Sequence, residues 1–145
     1  PPGPYTHPHF DFHFYDIAPE RADAIDCADE RKPAELPAGY VLPDEEIPEI
    51  GRLVGICVPG MGMHAFLESE YRGASAFEGT MVVGYYETRP IFLEPMITRE
   101  RLLRRQSFEL TVPQVPAPAD GRRPTRFIAE YDMSADAYRF VFSGM

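Results

Sequence analysis

The stretch Tyr5 to Tyr15 reads YTHPHFDFHFY. Phe10, Phe12 and Phe14 alternate with His9, Asp11 and His13. Successive side chains of a β-strand point to opposite faces, so this period of two gives one aromatic side and one polar side. A helix would scatter both sets around its circumference. The segment therefore predicts a strand, with the phenylalanines toward a core and the histidines toward a pocket.

Further along, Arg52 to Val58 (RLVGICV) predicts a buried strand that runs into the turn Pro59-Gly60-Met61-Gly62-Met63-His64. Thr80 to Tyr86 (TMVVGYY) and Pro90 to Leu93 (PIFL) predict a hairpin, with Glu87-Thr88-Arg89 as its connection. Phe108 to Val112 reads as another strand, and Arg126 to Tyr131 with Ala137 to Phe142 as a second hairpin. Helices are expected twice. Pro19 at a first helical position, Glu20 and three alanines predict one from Pro19 to about Glu30. Thr98 as N-cap predicts another over Arg99 to Gln106. Pro33 to Pro48 reads as a connecting loop with a short extended piece at Tyr40 to Leu42. Ser69 to Ser75 reads as a polar loop, Pro113 to Pro124 as a Pro-rich loop, and Pro1 to Pro4 as a flexible start. The expected fold is α+β and mainly antiparallel β: one domain over residues 1–145, a curled sheet or barrel with two short helices.

Composition bounds the partners. The chain has 145 residues, with 23 acidic against 14 basic side chains and a formal charge of −9. That balance argues against nucleic acid or a polyanionic membrane surface. No apolar run approaches the roughly 20 residues of a membrane span. Arg99, Arg101, Arg104 and Arg105 read as the solvated end of a helix, with anion binding as the lesser reading. Cys27 and Cys57 are too few for a disulfide framework, and a single bridge between them is left open. The chain opens on proline without an initiator Met, the look of a processed chain. A cytoplasmic location and export after loss of a leader both stay open.

The four histidines carry the chemistry. His7, His9 and His13 crowd the first strand, and His64 follows the glycine turn. Imidazole is the commonest protein metal ligand and the usual acid–base group near neutral pH. Neighbours at i and i+2 on one strand face lie ~6.6 Å apart, whereas His9 and His13 lie ~13 Å apart along a regular strand. One site would thus use His9 with Asp11, Asp11 with His13, or His7 with His9. His64 and Glu94 are the remaining candidates. Glu94 ends the apolar run Ile91-Phe92-Leu93, and a buried unpaired carboxylate is costly. The candidate metal ligands are His9, Asp11, His13, His64 and Glu94, for a divalent ion such as zinc, iron or manganese, with a small molecule as substrate. A metal-free polar or catalytic pocket fits the same strand, as does a non-catalytic homo-oligomer in which a hydrogen-bonded His–Asp–His row, or the polar side of a two-sided sheet, is structural or lies at a subunit interface. Asp11 also suits the role of orienting an imidazole. Met61 and Met63 read as core rather than a soft-metal site. Cys57 reads as buried and unreactive. No P-loop, GxGxxG, GxSxG or HExxH occurs.

PHFDFHFY (Pro8 to Tyr15), LPAGYV (Leu36 to Val41), VPGMGMH (Val58 to His64) and VGYYETRPIFLEPMIT (Val83 to Thr98) occur in that order. In this they resemble a family of uncharacterised bacterial proteins typified by a homodecameric Thermus protein under sigma-E/anti-sigma-E control. The resemblance covers about Pro8 to Leu103. It implies a soluble chain that assembles into a closed homo-oligomer, with no established activity. His9, Asp11, His13, His64 and Glu94 fall within the shared motifs, and His7 lies just outside them. Where the family shows a Thr-His-Thr strand entry, this chain has Phe77-Glu78-Gly79-Thr80.

Overall fold

The computed structural model describes residues 3–73, 77–116 and 123–145. Along the chain the strands are β1 (His9–Asp11), β2 (Phe14–Tyr15), β3 (Tyr40–Val41), β4 (Glu45–Ile47), β5 (Gly51–Leu53), β6 (Met63–Leu67), β7 (Gly79–Tyr86), β8 (Arg89–Thr98), β9 (Phe108–Leu110), β10 (Arg126–Asp132) and β11 (Ala137–Ser143). The helices are α1 (Pro19–Asp23), α2 (Glu68–Tyr71) and α3 (Arg99–Leu103). The mainly antiparallel α+β architecture is as expected. Among the described residues the sheets stay open and do not close into a barrel, and three short helices rather than two are present. No helix among the described residues is long and apolar enough to cross a membrane.

The main sheet runs β1-β8-β7-β6-β3, with β2 continuing β1 along β8. Its centre is the β7–β8 hairpin, rich in β-branched and aromatic residues and buried on both faces. The connection is shorter than expected. Glu87 and Thr88 both take positive φ, 48° and 68°, the combination a two-residue type I′ turn requires. β8 is also longer than expected. It runs through Glu94 and Pro95 to Thr98, so Glu94 lies inside the strand rather than at its end. Thr98 then caps α3, its hydroxyl accepting from the Arg101 N–H at 3.1 Å.

A second sheet, β11-β10-β9, packs on one face of the first. Phe12 meets Phe140 with ring centroids 4.5 Å apart, and Phe14 meets Phe142 at 4.9 Å. At the seam, Asp16 and Arg123 form a buried ion pair. Arg123 also donates to the carbonyls of Pro116 (2.7 Å) and Pro90 (3.1 Å). Cys27 and Cys57 are joined by a disulfide, which settles the open cysteine question. Closing a 30-residue interval removes roughly 3–4 kcal/mol of unfolded-chain entropy.

Several local expectations are corrected. The first strand begins only at His9, after a 3-10 turn at Gly3–Thr6 that buries Tyr5. Phe10, on the outermost strand β1, is 52% exposed rather than part of the core. α1 stops at Asp23, and the rest of the expected helix to Glu30 is irregular. Arg52 to Val58 is not one strand. β5 ends at Leu53 and a 3-10 turn spans Val54–Ile56, since Gly55 and Ile56 both adopt positive φ. Glu45–Ile47 pairs with β5 inside the expected loop. Glu68–Tyr71 is helical where a loop was expected. α3 ends at Leu103 rather than Gln106. The flexible start at residues 1–2, the end of the polar loop at 74–75, and the Pro-rich stretch 117–122 lie outside the described residues.

Candidate metal centre

His9 pairs with Thr98, Phe14 with Leu93 and Tyr15 with Phe92 in one continuous register. Hydrogen bonding lapses between β1 and β2, where Pro95 (which has no N–H to give) lies opposite Phe12. The alternation does not lapse. Counting along the register puts His13 directly across from Glu94, on the face opposite to the second sheet. Facing cross-strand residues have Cβ atoms ~4.5–5.5 Å apart, so the two side chains must meet.

The third member arrives from β6. His64 pairs with Gly84, and Gly84 pairs with Phe92. A Cβ on Gly84 would lie 2.0 Å from the Phe92 ring. Glycine there lets that ring lie across β7, between the imidazoles. Phe92 meets His13 at 4.9 Å and His64 at 5.3 Å, both edge to face. Upstream, Gly62 has φ +111°, and a Cβ there would crowd the Tyr85 carbonyl at 2.9 Å. The glycine turn before His64 thus sets the path by which β6 enters the sheet.

The result is a compact set of three. His13 Nε2 lies 3.6 Å from one Glu94 oxygen, and His64 Nε2 lies 3.9 Å from the other. One ligand atom from each residue falls within 4.8 Å of the others. Glu94 is 4% exposed and His64 8%. Neither His13 Nε2 nor Glu94 Oε2 has a hydrogen-bond partner among the described residues. His64 Nδ1–H donates to the Ile56 carbonyl at 3.0 Å. That bond fixes the tautomer and leaves the Nε2 lone pair aimed at Glu94.

The spacing is that of ion pairs, but the charges are not. Burial pushes the Glu94 carboxyl up to about 8, and the Asp11 charge adds to it. Burial lowers His64 to about 4, against the opposing pull of the Ile56 carbonyl. It lowers His13 as well, with Asp11 resisting. Near neutral pH the metal-free set is therefore uncharged, and His13 Nε2 and Glu94 Oε2 are buried without partners among the described residues. Ligand atoms ~2.1 Å from a tetrahedral ion lie about 3.4 Å apart, close to the two N–O distances here.

Of the five sequence candidates, the structure brings together His13, His64 and Glu94. His9 is elsewhere. Its ring packs on Phe77 with centroids 5.5 Å apart, and its Nδ1 meets the His7 carbonyl at 2.7 Å. Asp11 is exposed and outside the trio, although its charge reaches all three members. No two-ligand pair forms within the first strand, because only His13 reaches the set. The Ile56 carbonyl was not foreseen. Its signal was Gly55, which permits the turn. Comparison with protein-family models, with curated proteins and with solved structures finds no match to this chain.

Proposed function

We propose that the protein binds one divalent metal ion through His13 Nε2, His64 Nε2 and Glu94, and presents it to a small molecule. The observation that carries this reading is the pair of orphaned donors, His13 Nε2 and Glu94 Oε2, buried side by side. Buried polar atoms normally have partners, and a cation supplies one for both at once. Two imidazoles and a carboxylate suit zinc, iron or manganese. When bound, such an ion supplies Lewis-acid polarisation or activation of a coordinated water. The chain's part is to hold three ligands and leave the remaining positions to water or substrate. His64 is the buried anchor, and His13 is the ligand nearest solvent. Asp11 adds negative charge beside the cluster. Elemental analysis of untagged protein should find close to one ion per chain. Metal-free protein whose melting temperature is unmoved by zinc, iron or manganese would refute the reading.

We also propose that the chain self-assembles, as its resemblance to the decameric family implies. Phe10, exposed on the outermost strand β1, supports this. A native mass of 16.4 kDa at micromolar concentration would count against it.

A further inference from the structure

The carbonyl that accepts from His64 Nδ1 at 3.0 Å belongs to a residue in an unfavourable backbone conformation. Ile56 has φ +48° and Gly55 has φ +62°. The left-handed region is open to glycine but disfavoured for a β-branched residue, so surrounding contacts must hold Ile56 there. Three contacts surround it. Asp44 accepts a hydrogen bond from the Gly55 N–H at 2.8 Å. Asp44 is itself pinned between Lys32, at 2.7 Å, and Arg52. Cys57, the next residue, is bonded to Cys27. The segment before Cys27 also holds the glycine turn that follows, with the Gly60 N–H donating to the Ile25 carbonyl at 2.8 Å.

We propose that the Cys27–Cys57 bridge is a positioning element for His64, so that reducing it weakens metal binding while the fold persists. This rests on the metal reading above. Two thiols of a small reductant would exchange with the bridge, giving up two electrons and two protons and leaving as a disulfide, while the bridge takes these up and becomes two cysteine thiols. Cys27 is only partly buried, which gives a thiolate an approach. Once the bridge opens, no cross-link ties residue 57 to residue 27. Ile56 relaxes from positive φ, its carbonyl leaves Nδ1, and the Nε2 lone pair is no longer fixed on the ligand side. Metal occupancy would then follow the redox state of the surroundings.

The test compares oxidised protein with the Cys27→Ser/Cys57→Ser chain, using cobalt(II) absorbance to read affinity. Loss of an outer hydrogen bond to a ligating histidine costs 10–100-fold in affinity, and that range is expected here. Ring nitrogen NMR on the metal-free proteins supplies the second readout. His64 should show a proton on Nδ1 when oxidised and mixed tautomers without the bridge. Should the double variant fail to fold, Asp44→Asn loosens the same turn with the bridge intact, and weaker cobalt binding with the same tautomer drift is expected. A folded variant with unchanged affinity and an unchanged Nδ1 proton overturns the proposal. Oxidised protein that takes up no cobalt sinks the metal reading instead, and the NMR result still decides whether the bridge orients the ring.

Discussion

Replacing Glu94 by Gln should stabilise the metal-free protein in alkali and remove its response to metal. The folded carboxyl titrates at about 8 rather than its ordinary 4.5, chiefly because it is buried. Below 4.5 it is protonated in both folded and unfolded chains and carries no penalty. Between 4.5 and 8 the unfolded chain has released the proton while the folded chain retains it, so stability falls as pH rises. Above 8 the full penalty stands, about 5 kcal/mol for a carboxyl moved from 4.5 to about 8. At pH 5 the same relation leaves about 1 kcal/mol. Glutamine fills nearly the same volume and never ionises. The stability difference between Glu94→Gln and the parent should therefore shift in favour of the variant by about 4 kcal/mol between pH 5 and pH 9. Urea unfolding after chelator treatment measures it. Both cysteines are bridged, so no free thiol is present to reshuffle in alkali. Added ion should close most of that gap, because free metal at a thousand times its dissociation constant stabilises only the parent, by about 4 kcal/mol. A stability difference that stays constant across pH would refute the burial argument.

His13→Ala and His64→Ala should each abolish stoichiometric metal uptake in titration calorimetry, while His9→Ala should keep it, since His9 lies against Phe77. Asp16→Asn should leave the buried Arg123 guanidinium without its countercharge. The expected loss in urea unfolding is about 3–5 kcal/mol. Gly84→Ala should force its Cβ into the Phe92 ring. Overpacking of this kind costs roughly 1–3 kcal/mol, and metal affinity should fall with it, because Phe92 touches both imidazoles.

What the sequence made legible was periodic. Alternation in YTHPHFDFHFY separated Phe12 and Phe14 from His13, and the structure keeps that separation. Strand periodicity cannot say where a neighbouring layer ends, so Phe10 was assigned to a core that does not reach it. The ligand arithmetic excluded a shared role for His9 and His13. It could not choose between them, because the choice depends on which residue faces Glu94. That register is set by long-range pairing with β8. β8 itself looked shorter in sequence, because Pro95 and a glutamate resemble a strand terminus. Here Pro95 lies within the strand, opposite the lapse in hydrogen bonding between β1 and β2. The turn at Val54–Ile56 was hidden for a related reason. RLVGICV has strand composition, and only tertiary contacts, through Asp44 and the disulfide, hold its centre at positive φ.

The energetics of the three central residues argue against a purely packing role. Phe92 and Val82 beside them show what this sheet uses when it needs only volume. Burying a carboxyl and two imidazoles without hydrogen bonds to the outer atoms costs stability that leucine or valine at the same positions would not. A hydrogen-bonded structural row would have answered that cost with contacts below about 3.2 Å, and here the nearest approaches are 3.6 and 3.9 Å. The gap is too wide for a proton to bridge well and is the spacing that a cation between the atoms would require. The fold holds His64 by its Nδ1 and turns its Nε2 toward Glu94, the asymmetry that the proposed ligand role calls for.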